Sequence, residues 1–504
     1  MRALFLAGLL ALTVLSGCLD SSSGGTPDDP GAVMQGSEHP LGLPTAAYYH
    51  KAPATPDVNA TFAGVVQPNL DLVPVGAARY LPVSTFEPTI GSDPDGCLFF
   101  THFRGTGSGT RIFMSCDQAA NWTEIGPNLP IGQVCFPNSN DPYVHVDRDT
   151  GRVFASDLHA LVTSTLHYTD DKGETWQCNP AGGGLPPGGQ DHQTVATGAP
   201  RTVTTVGYPN VVYYCINRVG DSSCSSSLNG GIGFGPQILV YPGVESPGDG
   251  QLPTLCGGLH GHVETDHAGR VLMPKGQCGH PEVAVSENDG LTWNRAIVSS
   301  ETGVQGHEVR VAADLADNLY AFYIGADGLP YLGVSTDNGN SWRTPIMVAP
   351  PGVTATSFPA VYAGADGKVA VAYIGLTHPD GYEAADEEMA WNAYLTILYN
   401  ATATDPLIAT VLANDPSDPI ARGPCGNTRC GGLGDFIDLT IDPEGRPWAA
   451  FADMCRGDCT EPDATENAGG TIAFTGTLLQ GESLITASPL AKLVALPVPE
   501  PVAA

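Results

Sequence analysis

The stretch Thr169-Asp170-Asp171-Lys172-Gly173-Glu174-Thr175-Trp176 decides the fold, because its pattern of hydroxyl, carboxyl, glycine and aromatic residues recurs along the chain. Clear copies begin at Ser286 and Ser335, and weaker copies begin at Ser115 and Ser227. The five starts are spaced 49 to 59 residues apart. A near-regular period of this size indicates a repeated supersecondary unit.

The motif has a local physical logic. An Asp or Asn oxygen can accept hydrogen bonds from amides a few residues on and close a turn, while glycine takes a position with φ > 0. The tryptophan is then expected to plug into its own sheet. The motif resembles the Asp-box, or BNR repeat, of the sialidase superfamily. The resemblance implies a peripheral hairpin between the third and fourth strands of a propeller blade, so that Asp171 and Asp337 are structural rather than catalytic.

A second repeat marks the inner strands. Short apolar runs lie between Asp/Gly turns, which is typical of an all-β fold. The seven runs predicted as inner strands begin at Glu87, Asp141, Asp191, His262, Glu308, Phe358 and Asp435. Together the two repeats predict an all-β fold, a β-propeller of seven four-stranded blades with Asp-box hairpins. The fourth strand of the last blade is expected from Val58–Val75 rather than from Lys492–Val498, because joining the chain's two ends removes an open sheet edge.

The N-terminus predicts export. Met1-Arg2 precedes an apolar run that ends at Leu15-Ser16-Gly17-Cys18, as in a secretory signal. The last four residues resemble the lipobox of prokaryotic lipoproteins, which implies that Cys18 is lipidated. We therefore expect an exported protein at the outer face of the cell membrane, touching the membrane only through its lipid. With 53 acidic against 21 basic residues and a formal charge of −32, nucleic acid is excluded as a partner.

Composition divides the chain into four parts. Residues 1–17 form the signal peptide. Residues 18–57, rich in Ser, Gly, Pro and Asp, are predicted to be a disordered tether. The propeller covers 58–482, and 483–504 form a C-terminal tail. A monomer is expected.

Thirteen cysteines less Cys18 leave an even number, which in an exported protein indicates disulfides. A glycine-rich turn at 104–109 joins two predicted strands and places Cys97 directly opposite Cys116. Other pairs are close in sequence: Cys215 and Cys224, Cys256 and Cys278, Cys425 and Cys430, Cys455 and Cys459.

Residues that open the inner strands should converge at one end of the channel. The candidate catalytic carboxylates are Glu87, Asp141, Asp191, Glu308 and Asp435. The candidate substrate-binding residues are His192, His262, His307, Arg104 and Arg310.

This ring of carboxylates, imidazoles and arginines is compatible with three functions. Paired carboxylates can hydrolyse a glycosidic bond, and Asp-box propellers include sialidases and enzymes that cut plant polysaccharides. Sialidases, however, carry a Phe-Arg-Ile-Pro motif and two further arginines, and the nearest match here, Arg79-Tyr-Leu-Pro82, departs from it.

Alternatively, the strand face formed by His260, His262, Glu264 and Asp266 could bind zinc or calcium. One strand rarely supplies a full site, so no metal ligand is assigned and a structural calcium ion is left open as a cofactor. The propeller could also bind a partner without catalysing a reaction.

The overall resemblance is to exported, sialidase-like proteins of prokaryotes without a settled reaction. This resemblance rests on three short sequence segments: Asp141-Pro-Tyr-Val, Tyr208-Pro-Asn-Val-Val-Tyr-Tyr214 and Gly434-Asp-Phe-Ile-Asp-Leu. The sequence thus predicts a surface-anchored, sialidase-like lipoprotein that recognises or hydrolyses glycans, with a glycan or surface polymer as partner. If it is an enzyme, it is a glycoside hydrolase. The alternative is a non-catalytic propeller platform for protein or ligand binding.

Overall fold

The computed structural model describes residues 33–35, 37–39, 48–51, 74–103, 105–127, 135, 137–179, 189–218, 221–241, 259–277, 279–301, 308–425, 430–456, 471–493 and 496. Regular structure in these ranges is β-strand, apart from four short 3₁₀ turns: Thr106–Ser108, Gly381–Glu383, Asp386–Glu388 and Gly431–Leu433. None of the helices within them is long and apolar enough to cross a membrane.

Seven antiparallel sheets with four core strands each follow one another along the chain, which confirms the predicted seven-bladed β-propeller. Blade 1 contains Ile90–Ser92, Leu98–His102, Arg111–Ser115 and Asn121–Gly126. Blade 2 contains Tyr143–Val146, Val153–His159, Thr163–Thr169 and Gln177–Asn179. Blade 3 contains Gln190–Gly198, Val211–Arg218, Asp221–Ser227 and Ile238–Leu239. Blade 4 contains Glu264–Thr265, Val271–Gln277, His280–Ser286 and Asn294–Ile297.

The remaining blades continue this order. Blade 5 contains Arg310–Ala313, Leu319–Ile324, Pro330–Ser335 and Ile346–Met347. Blade 6 contains Ala355–Ala363, Val369–Leu376, Ala390–Tyr399 and Leu407–Leu412. Blade 7 contains Asp438–Ile441, Pro447–Asp453, Ile472–Gln480 and Val75–Ser84. The first-named strand of each blade contacts the first-named strand of the next, and the seventh contacts the first, so these strands form a closed ring around the axis.

An N-terminal strand closes the ring. Val75–Ser84 pairs with Ile472–Gln480, placing Arg79 opposite Thr475. The closing strand therefore comes from the N-terminal side, as expected, but it begins where the predicted segment 58–75 ends. The expected bounds were therefore wrong, because the ladder with Ile472–Gln480 is formed by residues from Val75 onward.

Three further short strands extend the outer edges of blades. Val33–Gln35 pairs with blade 1, Ser37–His39 with blade 7 and Tyr48–Lys51 with blade 6, while Ala421–Arg422 also pairs within blade 6. The prediction of a disordered tether over 18–57 is therefore wrong for these three segments. An outer strand presents unpaired amides and carbonyls, and an extended segment of almost any composition can satisfy them.

The repeated motif forms the same turn between the third and fourth strands of blades 1 to 5. Thr169 Oγ1 donates to Asp171 Oδ1 (2.7 Å), the amide of Gly173 donates to Thr169 Oγ1 (2.9 Å), and the amide of Thr175 donates to Asp171 Oδ1 (2.8 Å). The same three bonds recur in every other copy, including the weaker two. In each copy the fourth and fifth residues have positive φ, as at Lys172 (56°) and Gly173 (92°).

The aromatic residue that ends each motif packs between blades. Trp176 lies against a cluster formed by blades 1 and 2, and Trp293 lies against one formed by blades 3 and 4. Trp122 and Trp342 make the corresponding contacts with blades 7 and 4. The expectation that the ring plugs into its own sheet alone is thus corrected: it also covers the apolar face of the preceding blade, where more surface can be buried.

Several disulfide bonds join neighbouring segments of the chain. Cys97 and Cys116 are bonded, with Cα atoms 4.0 Å apart, beside the pair Leu98–Ser115. The bonds Cys215–Cys224 and Cys425–Cys430 also form, and Cys455 is disulfide-bonded. A further bond, Cys135–Cys178, joins two cysteines that the sequence left unpaired. Cys18, Cys256, Cys278 and Cys459 lie outside the described residues.

Candidate functional site

The predicted ring of carboxylates and imidazoles lies where the inner strands begin. Glu87, Asp141 and Glu308 are buried there, and Asp191 and Asp435 are half-buried. Arg104 and His307, the other two predicted members, fall outside the described part of the chain.

The backbone is irregular at this end of the axis. Glu87, His192 and Phe358 have positive φ of 49°, 52° and 58°, and strand pairing slips beside His192 and beside Phe358. Such bulges re-aim side chains at the rims of β structures. Two of the three positions, His192 in blade 3 and Phe358 in blade 6, lie at such bulges.

Five buried side chains from four blades form a continuous chain of contacts, which we call the axial plug: His192, Glu308, Arg310, Asp438 and His262. Nε2 of His192 lies 2.5 Å from Oε1 of Glu308. Arg310 donates to Oε2 of Glu308 (2.8 Å) and to Oδ1 of Asp438 (2.5 Å). Nδ1 of His262 lies 3.4 Å from that same oxygen of Asp438.

The plug is electrically compensated. Burial alone would lower the pKa of His192, but Glu308 outweighs it and raises this pKa to about 9. Burial likewise would raise the pKa of Glu308, yet His192 and Arg310 hold it well below its ordinary value. Burial and Arg310 lower the pKa of His262 to about 4. At neutral pH the plug therefore contains two cations and two carboxylates, Glu308 and Asp438, with His262 neutral.

The other predicted carboxylates make local contacts. Oε1 of Glu87 accepts a hydrogen bond from the amide of Asp435 (3.1 Å), which ties blade 1 to blade 7. Burial raises the pKa of Asp141 to about 7, against the charge of His192. Arg79, in the stretch nearest to the sialidase motif, is buried in the closing strand of blade 7 and donates to the carbonyl of Gln118.

A cavity of about 250 Å³ occupies the other half of the channel. All seven blades contribute to its lining, through 90–92, 143–149, 197–199, 262, 264–267, 312, 313, 315, 362–364 and 438–441. His262 and Asp438 of the plug belong to this lining, whereas Glu87, Asp141, Asp191, Glu308 and Asp435 do not. Arg148, His267 and Leu315, in the turns that follow the inner strands, are exposed. The cavity therefore opens where the inner strands end, opposite to the predicted ring.

Aromatic and polar groups alternate along the cavity wall. The guanidinium of Arg148 lies 4.6 Å from the ring centre of Tyr362 and donates to the carbonyl of Ile441. Nε2 of His145 lies 3.0 Å from Oγ1 of Thr197. Tyr143 packs edge-on against His262 at 5.0 Å between ring centres. Sequence reasoning missed His145, Arg148 and Tyr362; the alternation Tyr143, His145, Asp147 along one strand face was the available signal for the first.

Burial holds two titratable groups of the cavity wall, Glu264 and His145, uncharged at neutral pH. Burial and the charge of Asp438 raise the pKa of Glu264 to about 8. Burial lowers the pKa of His145 to about 4. Arg148 is the one Lys or Arg side chain among the described residues that line the cavity. Glu264 and His145 can therefore donate and accept hydrogen bonds without carrying a charge, beside the carboxylate of Asp438 on the same wall.

No family model and no curated protein matches the chain. Among solved structures, a lectin from Burkholderia pseudomallei is similar at a TM-score of 0.45 and 12% identity, over 81% of this chain and 100% of that one. The Aleuria aurantia lectin in complex with Fucα1-6GlcNAc is similar at 0.40 and 12%, over 66% and 96%. The intramolecular trans-sialidase of Ruminococcus gnavus is similar at 0.38 and 11%, over 77% and 93%. At these values the similarity carries no argument about activity.

Proposed function

We propose that the protein is an exported, lipid-anchored propeller that recognises glycans through the axial cavity. The observation that supports this proposal is the cavity's composition: the phenol rings of Tyr143 and Tyr362 stand beside the carboxyl group of Glu264, the imidazole of His145 and the guanidinium of Arg148. Sugar rings combine apolar C–H faces with many hydroxyl groups. Concave sites that mix aromatic surface with a few convergent polar groups suit such ligands.

The charge of the site favours a neutral glycan. The chain carries a formal charge of −32, which repels acidic ligands at a distance. Sialidases, which the turn motif resembles, hold the sugar carboxylate with three arginines, while Arg148 alone lines this cavity among the described residues. That arginine already lies over Tyr362. We therefore assign neutral terminal sugars, not sialic acid, as the ligand class.

Export and anchoring are part of the proposal. Four disulfides between described cysteines are typical of proteins in oxidising compartments. The lipobox-like Leu15-Ser16-Gly17-Cys18 supports attachment through a lipid. A tethered propeller would present its cavity to surface polymers or to glycans outside the cell.

Hydrolysis is the second candidate. Glycosidases need two carboxyl groups at one bond, and those of Glu264 and Asp438 both line the cavity. Asp438, however, accepts hydrogen bonds from Arg310 and from the amide of Ile90 (3.1 Å). A carboxylate held in this way stabilises structure more readily than it attacks a sugar, so recognition is the preferred function.

The test is a glycan array probed with the purified mature protein, followed by a product-release assay on each bound glycan. We expect binding to glycans with neutral terminal sugars and no released product. Glu264→Ala should lose the binding, and His167→Gln, a buried imidazole change in blade 2, should retain it. Release of free sugar by the wild type, abolished in Glu264→Ala, would establish hydrolysis instead. Binding to no glycan would reject both candidates.

A further inference from the structure

Three buried side chains from three blades bring metal-ligating atoms together beside the axis. His192 of blade 3, His262 between blades 3 and 4 and Glu308 at the start of blade 5 offer ligand atoms that all lie within 4.8 Å of one another. Each of the three residues is at most 3% exposed. We propose that they form a binding site for a divalent transition metal ion of the zinc class.

The types of ligand atom in this cluster favour zinc over calcium. Two imidazole nitrogens and one carboxylate oxygen are a ligand combination that zinc takes in proteins, with a fourth position left open. Calcium takes six to eight oxygen ligands, and this cluster offers oxygen from one side chain. The site also differs from the single-strand set His260, His262, Glu264 and Asp266, because its ligands come from three separate segments.

Unpartnered atoms provide an independent reason for a ligand. Nε2 of His192, Nε2 of His262 and Oε1 of Glu308 are buried and make no hydrogen bond within the described structure. The first and third lie 2.5 Å apart as an ion pair, without the alignment of a hydrogen bond. A buried polar atom without a partner is unfavourable, and Nε2 of His262 is such an atom, whereas the other two atoms pair with each other. A metal ion that replaced the proton of the His192–Glu308 pair would give all three atoms a partner.

Surrounding groups already orient the three ligands. Arg310 donates to Oε2 of Glu308 at 2.8 Å, which leaves Oε1 for the metal. Asp438 lies 3.4 Å from Nδ1 of His262, the carboxylate–imidazole pairing that positions zinc-bound histidines. The ring of Phe436 packs edge-on against both imidazoles, at 5.0 and 5.2 Å between ring centres. These contacts fix the ring orientations and exclude water from one side.

The positive charge of Arg310 does not prevent metal binding. Its guanidinium bridges two carboxylates, Glu308 and Asp438, and balances one negative charge. The other charge, balanced by His192 in the metal-free protein, would be balanced by the ion once His192 gives up its proton. His262 also lines the axial cavity, which gives an ion a path from solvent. The other two ligands, His192 and Glu308, lie outside the cavity lining, so the metal site does not depend on glycan recognition.

The test uses the purified mature protein after chelation and dialysis. Isothermal titration with Zn²⁺ should show one site per chain, and Ca²⁺ at the same concentration should show none. Co²⁺ should give the visible absorption bands of a tetrahedral nitrogen–oxygen site. His192→Gln and Glu308→Gln should each weaken Zn²⁺ binding at least about tenfold, as loss of a ligand requires. His167→Gln is the matched control, since His167 is equally buried and lies 3.6 Å from Asp157.

The Co²⁺ spectrum of the wild type keeps the proposal testable if the ligand variants fail to fold. Absence of a stoichiometric Zn²⁺ site and of the Co²⁺ bands in folded wild-type protein would overturn the proposal. So would unchanged Zn²⁺ affinity in a folded His192→Gln variant. Binding of glycans has no bearing on either result.

Discussion

Nε1 of Trp176 donates a hydrogen bond to the carbonyl oxygen of Ile125 at 2.7 Å, and the two residues belong to different blades. Trp176 ends the turn motif of blade 2, while Ile125 lies in the outer strand of blade 1. A turn that is closed by local hydrogen bonds thereby also joins neighbouring sheets. The repeated motif is a device for assembling blades into a ring, which explains why it recurs at the period of a blade.

Trp176→Ala should destabilise the fold by about 2–4 kcal/mol, somewhat less than for a wholly buried aromatic because the ring is half-buried. Trp176→Phe keeps most of the apolar contact and loses the hydrogen bond, so about 1 kcal/mol is expected. Denaturant unfolding of the two variants measures both values. Equal stability of Trp176→Ala and the wild type would contradict an inter-blade role for the ring.

Two glycines at the same position of the motif differ in their surroundings. A Cβ at Gly173 (φ 92°) would lie 2.5 Å from Cβ of Ile125, whereas at Gly290 (φ 83°) its nearest neighbour would lie 3.8 Å away. Gly290→Ala should therefore cost only the backbone strain of about 1–2 kcal/mol. Gly173→Ala should cost a further 1–3 kcal/mol, roughly, from overpacking against blade 1. Equal melting temperatures for the two variants would show that blades 1 and 2 are not packed through this turn.

Local features of the sequence predicted the fold and three of the disulfides. The motif carries its own hydrogen bonds, so its copies could be recognised without knowing their partners, and the turn before Thr110 fixed the register that pairs Cys97 with Cys116. The open end of the channel could not be predicted. It depends on Glu308, Arg310 and Asp438 meeting across blades and closing the end where the inner strands begin. No period or spacing encodes such contacts between distant segments.

Asp453 should make stability fall as pH rises. It is buried in blade 7, accepts a hydrogen bond from Tyr80 (3.0 Å), and burial followed by Asp418 raises its pKa to about 7. The folded state holds this proton more tightly than the unfolded state, whose Asp pKa is about 3.9. Stability is therefore lost between pH 4 and 7, roughly, and stays lower above that range.

Asp453→Asn should remove this penalty and stabilise the protein at pH 8 by about 2–4 kcal/mol relative to the wild type, with no gain near pH 3. Denaturant unfolding at both pH values measures the difference. Asp171→Asn is the control: hydrogen bonds from Thr175 lower the pKa of Asp171, so that exchange gives no gain at pH 8. A gain from Asp453→Asn of the same size at pH 3 would show that the carboxyl charge is not its cause.

Cys18→Ser should release the protein from membranes or block its maturation, because the thiol is the predicted attachment point of the lipid. Cell fractionation and N-terminal mass determination measure both effects. Ser21→Ala, three residues further on, should leave fractionation unchanged. A Cys18→Ser protein that still sediments with membranes and still lacks its first 17 residues would refute the lipid anchor.

The central claim is that the ligand binds in the axial cavity, and the most direct measurement is the affinity of a cavity-filling variant. Ala313 is half-buried in the lining, so Ala313→Phe should occupy the ligand's space without removing a polar group. Ala326→Phe places the same ring on an exposed turn outside the cavity. Isothermal titration with the tightest glycan from the array should show at least about tenfold weaker binding for Ala313→Phe alone. Wild-type affinity in a folded Ala313→Phe protein would contradict the claim and place glycan recognition elsewhere on the propeller.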